Sequence, residues 1–215
     1  MVKAIYLLGG GGHASVLVDI LKANGADISA ICSPHIDQTK KAFSNIATIN
    51  NENFLFGKNA TDILLVNAVG SLPYSMLRSK IFNKFFKQGY IFAPVLSKHA
   101  IISPYATLGH GVQVMPGAIV QAGVHIGDNT IINSGAIIEH DCIIGKHNHI
   151  APGATLSGEV CTGDDVHIGT GAIVIQSVSI GEACVIAAGA IVTRSIESEK
   201  IVFGARANIQ DKKAK

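Results

Sequence analysis

From Ile102 onward every sixth position is aliphatic: Ile102, Leu108, Val114, Val120, Ile126, Ile132, Ile138, Ile144, Ile150, Leu156, Thr162, Ile168, Val174, Ile180, Ile186 and Val192, with Thr162 the one exception. The position two residues earlier is small or β-branched nearly throughout, from Ala100 to Ala190. A period of six fits neither the helical repeat nor the alternation of a strand. Sixteen repeats in phase therefore predict a solenoid. With one short strand and one turn per hexad, three hexads close a triangular coil. The aliphatic residue then faces the axis, the small residue fits near a corner, and the repeat makes about five coils. Glycines such as Gly109, Gly117, Gly135, Gly153, Gly171 and Gly189 recur near the expected corners, where positive φ or close backbone approach favours them.

The first half of the chain has a different pattern. Ala4 to Leu8 is an apolar run that ends in Gly9-Gly10-Gly11-Gly12-His13, and Val16, Leu17, Ile20 and Leu21 then recur at helical spacing until Asn24-Gly25. Ile28 to Cys32 reads as a second strand, which completes a β-α-β unit. Its glycine turn presents backbone N–H groups at a helix N-terminus, an arrangement that suits phosphate. Gly9, Gly11 and Ala14 satisfy G-x-G-x-x-A, but the acidic residue that a dinucleotide ribose requires after the second strand is replaced by Cys32-Ser33-Pro34. This argues against a dinucleotide. Residues 35–60 are polar and carry few signals. Asp62 to Val66 reads as a third strand, Tyr74 to Lys87 as an amphipathic helix, Tyr90 to Phe92 as a short strand and Pro94 to Lys98 as a linker. The expected organisation is a first domain over 1–98, a solenoid over 99–195 and a tail over 196–215.

Composition adds little that the repeat does not explain. Hydrophobic residues make up 48% and charged residues 15%, as an axial aliphatic stack demands. No apolar run approaches the roughly 18 residues needed to span a bilayer, and the run after Lys3 is cut short by the glycines. The expectation is a cytoplasmic protein that does not engage membranes. The net charge of +2 argues against nucleic acid, yet residues 1–98 carry ten Lys and Arg against five Asp and Glu, while 99–215 carry seven against ten. The basic first domain suits a phosphorylated ligand. Cys32, Cys142, Cys161 and Cys184 form no CxxC pair and read as buried free thiols.

Six histidines fall within the repeat, at His110, His125, His140, His147, His149 and His167, all outside the axial positions. His140 stands out because Glu139 and Asp141 flank it where the hexad has no structural need for charge. A carboxylate that accepts one ring N–H fixes the tautomer and raises the basicity of the other nitrogen, as a general base requires.

Together, the glycine turn with His13, the helix before the linker and the runs Ile137-Ile138-Glu139-His140-Asp141-Cys142-Ile143-Ile144-Gly145 and His149-Ile150-Ala151-Pro152-Gly153-Ala154 resemble one family. It is the hexapeptide-repeat nucleotide-sugar acetyltransferases, which include bacillosamine and perosamine N-acetyltransferases and the sialic acid O-acetyltransferases. The resemblance implies an α/β fold, a Rossmann-like β-α-β domain followed by a left-handed parallel β-helix, assembled as a homotrimer. It implies an acetyl-CoA-dependent N-acetyltransferase that acts on a nucleotide-linked 4-amino-4,6-dideoxyhexose by direct transfer, with no metal. His140 would be the base, Asp141 its partner and the Gly158 amide an oxyanion donor. His149, Thr170, Ala188 and Arg206 would contact acetyl-CoA, and Gly11, Gly12, His13, Ser33 and Asn133 the sugar nucleotide. O-acetylation of a sugar hydroxyl is the main rival. A zinc hydratase using His140, His147 and His149, and a non-catalytic sensor, are weaker ones. Three departures stand out, one of them Asn67-Ala68-Val69-Gly70-Ser71 where the family commonly has a shorter Gly-Asn turn. Ser33-Pro34 occupies a place where uridine-nucleotide members often carry paired acids, which leaves the nucleobase open. Gly204-Ala205-Arg206-Ala207 replaces the G-x-P-A-[KR] common near the end, so that Arg206 would supply the cation for a coenzyme phosphate.

Overall fold

The computed structural model describes residues 3–37 and 39–205; Arg206 lies outside them. The chain opens with β1 (Ala4–Leu8), α1 (Gly12–Ala23) and β2 (Ile28–Cys32), as the pattern predicts. β3 (Thr48–Ile49), β4 (Ile63–Asn67) and α2 (Leu77–Phe86) follow. The sheet is parallel, in the order β3-β2-β1-β4. Alternate residues of its strands face opposite sides. Leu7, Ile31 and Val66 pack with Leu17 and Val18 of α1, while Tyr6, Leu8 and Leu65 pack with Phe82 and Phe85 of α2.

Several expectations shift. Val16 shares the helical spacing but is exposed. α2 starts at Leu77 and not at Tyr74, because Tyr74 has φ +67° and cannot begin a right-handed helix. β3 lies in the stretch 35–60 that gave no signal, since a two-residue edge strand has no periodicity to read. Of Tyr90 to Phe92, Phe92 alone makes a bridge, to Leu65.

The second half is built from two-residue strands spaced six apart, from Ile101–Ile102 to Ile191–Val192. As far as Ile173–Val174 each pairs in parallel with the strand 18 residues on, as in Ile131↔His149 and His149↔His167. The result is three parallel sheets around a core of stacked Val, Ile, Leu and Ala, the architecture of a hexapeptide left-handed β-helix. The linker read over Pro94 to Lys98 is already part of it, because Val95–Leu96 pairs with Gln113–Val114. At the other end the last coil is shortened: Ile196 bridges Ile180, and Ile201–Val202 pairs with Val185–Ile186, an offset of 16.

The three faces differ outwardly. One, with Val95, Gln113, Ile131, His149 and His167, is covered by the first domain: Met115 and Ile131 join the α1 core, and Asn24 Nδ2 donates to the Leu96 carbonyl at 2.8 Å. The second presents Ile101, Ile119, Ile137, Thr155, Ile173 and Ile191, with Ile101 67% and Ile191 64% exposed. The third is mixed, with Thr107, His125, Ile143, Cys161 and Ser179.

Candidate active site

Each corner of the prism turns at a residue in the left-handed region, three positions after an axial aliphatic. The corner between the isoleucine and mixed faces has Gly123, Asp141, Glu159 and Ser177 there, all near φ +60° to +75°. His140 immediately precedes one of these residues. The turn at Asp141 swings its carboxylate back, so that Asp141 Oδ2 accepts from His140 Nδ1 at 2.9 Å. This leaves Nε2 as the unprotonated nitrogen. The hydrogen bond to Asp141 raises the His140 pKa, opposed by desolvation and assisted by the charges of Asp141, Glu159 and Glu139.

Two glycines make room for the pair. Gly123 lies one coil before Asp141, and a Cβ there would collide with Asp141 Oδ1. Gly158 lies one coil after His140, and a Cβ there would stand 2.5 Å from both Cε1 and Nε2 of the imidazole. Among the described residues the buried Gly158 N–H donates to no backbone acceptor, whereas the next amide, of Glu159, is taken by the His140 carbonyl at 2.9 Å. The residue that packs against the imidazole thus keeps a backbone donor without a backbone acceptor. Gly123 and Glu159 are absent from the site read in the sequence, although adding one coil of 18 residues to Asp141 in either direction finds both.

The corner between the covered and isoleucine faces holds a second group. Asn133 Nδ2 donates to His149 Nε2 at 3.0 Å, so His149 carries its proton on Nδ1. His149 is only 8% exposed, and burial, with help from His167, His13 and Arg78, pulls its pKa down to about 3. Thr170 and Ala188 lie farther along the same corner. His13, from the glycine turn, donates through Nε2 to Gln113 Oε1 at 2.8 Å, and burial holds it near pKa 4. Beside them Arg78 is fully buried without a carboxylate. It donates to the Asn67, Val69 and Asn129 carbonyls at 2.7–3.1 Å, and desolvation lowers its pKa to about 9, still above neutrality.

The glycine turn itself lines a cleft with Gly11, Gly12, His13, Ser33, His35 and Gly70. A Cβ on Gly9 would strike the Ala68 backbone at 2.9 Å, so packing requires that glycine. Gly11 and Gly12 would meet nothing within 4 Å. They border open space at the start of α1, and backbone N–H groups at a helix N-terminus favour an anion. Ser33 Oγ is turned into its own loop, donating to the His35 carbonyl at 2.9 Å.

Within one chain, then, His140, Asp141 and Gly158 meet at one corner, whereas Asn133, with His149 beside it, Thr170 and Ala188 follow one another along a different corner, and the glycine turn meets the covered face through His13 and Gln113. The isoleucine face lies between the two corners, six residues of extended chain or roughly 20 Å. His147 is at the third corner, hydrogen-bonded to Asn129 at 2.9 Å. His140, His147 and His149 are therefore dispersed, and among the described residues no group of three or more His, Cys, Asp and Glu side chains is placed to hold a metal. No described helix is long and apolar enough to cross a membrane.

The family model for bacterial transferase hexapeptide (six repeats) matches residues 123–158, and that for the hexapeptide repeat of succinyl-transferase matches 160–194. No match is found among curated protein sequences. Among solved structures, PerB from Caulobacter crescentus in complex with CoA and GDP-perosamine is 30% identical, with 94% of each chain covered and a TM-score of 0.83. The acetyltransferase domain of PglB from Neisseria gonorrhoeae, in complex with acetyl coenzyme A, is 28% identical over 91% of this chain and 93% of that one, with a TM-score of 0.80. WeeI from Acinetobacter baumannii, 23% identical over 94% and 97% with a TM-score of 0.80, shares the fold. Since the likeness to PerB runs through both the glycine-turn domain and the repeat, the chain belongs to the hexapeptide-repeat acetyltransferases related to perosamine N-acetyltransferase.

Proposed function

We propose that the protein transfers the acetyl group of acetyl-CoA to the amine of a GDP-linked 4-amino-4,6-dideoxyhexose, and that it does so as a homotrimer. The observation that carries the reading is the His140–Asp141 pair set over the free Gly158 amide, in a chain similar throughout to an enzyme solved with CoA and GDP-perosamine.

The chemistry follows from these groups. His140 Nε2 takes a proton from the sugar amine as the amine attacks the thioester carbonyl, and Asp141 steadies the imidazolium. The Gly158 N–H would meet the carbonyl oxygen as negative charge develops there. The proton held on Nε2 then passes to the departing thiolate, so no proton is left over. Asn133, oriented by His149, would hold the acceptor sugar. The glycine turn, with bare Gly11 and Gly12 and a basic domain around it, suits the diphosphate. The coenzyme contacts expected at Thr170 and Ala188 belong to the same proposal, as does that of Arg206.

Two features support self-assembly. A ladder of exposed isoleucines on one flat face is more apolar than a monomer leaves to solvent. The corner beside it carries glycine at every left-handed position, Gly117, Gly135, Gly153, Gly171 and Gly189, although the other corners place side chains at the same φ. Positive φ alone does not demand five glycines in a row, and a partner passing close to that corner would. Packing isoleucine faces around a threefold axis would bring the His140 corner of one subunit to the Asn133 corner of the next, joining two half-sites that a single chain keeps apart.

The test is thiol release from acetyl-CoA with GDP-, dTDP- and UDP-linked 4-amino-4,6-dideoxyhexoses beside their 4-hydroxy counterparts. Turnover of the GDP-linked amino sugar is expected. Turnover confined to a hydroxy sugar would make the enzyme an O-acetyltransferase, and silence across the panel would overturn the substrate class.

A further inference from the structure

Beyond the glycine turn the cleft continues into a second cavity, which shares Gly9, Ser33, His35 and Val69 with the first. Its walls are apolar, from Leu8, Pro34, Val69, Leu77 and Ile81, and Glu52 is the one carboxylate among its lining residues. Glu52 begins the short turn after β3. Its Oε1 accepts from Lys84 Nζ at 3.3 Å, and Lys84 is itself held by Asn53 Oδ1 at 3.0 Å. Oε2 has no partner among the described residues. The carboxylate lies close to the end of β2, where burial first and the Glu52 charge second push the Cys32 thiol up to about 11. The other nearby acid, Asp37, does not line this cavity, and its Oδ1 is turned into its own loop, accepting from the Thr39 N–H at 3.0 Å and from the Thr39 hydroxyl.

A slot with apolar walls and one anchored carboxylate suits a flat base that presents two adjacent donors. Guanine does so with N1–H and the 2-amino group. Uracil and thymine offer one N–H between two carbonyl oxygens, which a carboxylate would repel, and hypoxanthine lacks the second donor. We propose that Glu52 is the specificity-determining residue for the nucleobase and selects guanine, in place of the acids that are missing at Ser33-Pro34. The inference rests on the sugar-nucleotide reading above and adds the residue that chooses the nucleotide.

Equilibrium binding separates the two ideas, because it does not need turnover. Calorimetric titration of the full-length protein with GDP, IDP, dTDP and UDP is expected to show GDP bound about 10- to 100-fold more tightly than the others, the discrimination of a bidentate pair. Glu52→Gln is expected to lose most of that preference, since an amide cannot accept both donors. Lys84→Met, which removes the ion pair and leaves the carboxylate, keeps it. Equal binding of GDP and IDP by the native protein, or unchanged selectivity in Glu52→Gln, overturns the assignment whatever the turnover panel shows. GDP selectivity that disappears in Glu52→Gln alone establishes the assignment, even if the amino sugar proves to be the wrong acceptor.

Discussion

The imidazole of His140 lies against Gly158, one coil further along the prism, so closely that the smallest side chain would occupy its place. His140 is exposed and can rotate away, so Gly158→Ala should fold with a stability change of less than about 1 kcal/mol. Its base would be misplaced by an ångström or more, which costs on the order of 100-fold in kcat/KM. His140→Ala should lose at least as much. Near-native turnover in His140→Ala, with unchanged thermal unfolding, would remove His140 from the chemistry; the same result in Gly158→Ala would show that the ring does not need that space.

The Asp141 carboxylate raises the pKa of His140, and the base works only when neutral. Activity should therefore rise with pH through a value above the ordinary histidine pKa. Asp141→Asn should move that rise to lower pH while it lowers the plateau, because the remaining imidazole is less basic. Gly123→Ala should do the same without touching either residue, since its methyl displaces the carboxylate; the left-handed turn adds roughly 1–2 kcal/mol of strain. A pH profile in Gly123→Ala identical to the native one would show that the carboxylate does not depend on that space.

Ile173 stands in the exposed ladder of the isoleucine face. A carboxylate buried unpaired in an interface costs several kcal/mol. Ile173→Asp should weaken self-association at least about 100-fold, as read by sedimentation velocity. Turnover should fall with assembly, although every residue of the His140 corner is intact. A fully active monomer would show that one chain completes its own site.

His13 and His149 are buried neutral between the domains, with pKa values pulled down to about 4 and about 3. An unfolded chain takes up their protons near 6.5 and the folded one does not. The stability they contribute is thus present at neutral pH and is lost as pH falls below that value. At about pH 5 the loss is about 2 kcal/mol for each. Thermal unfolding followed from neutral pH to about pH 5 should show that drop, and His149→Gln should lessen it. A pH-independent midpoint would mean that both rings find a proton acceptor.

The six-residue period, read without coordinates, already determined the β-helix, the placement of its strands and the identity of its axial residues. Each coil must bury one aliphatic side chain per strand, and a constraint that recurs in the core is written into the sequence at that spacing. The Gly9 to His13 turn and the His140–Asp141 pair were legible for a related reason: each is local, spanning neighbours in the chain. The tertiary structure decided what lies one coil or one domain away. Gly123 and Gly158 matter because they stack on Asp141 and His140, 18 residues distant. His149 is a buried anchor for Asn133 because the first domain closes over its face, while His125, in the same register on the mixed face, stays in solvent. Glu52 reaches its cavity because β3 pairs at the edge of the sheet, in a stretch too short for any pattern. The period says which residues stack one coil apart but not which of those stackings crowd a side chain, and of contacts between domains, which depend on which surfaces fold together, hydrophobic periodicity carries no record.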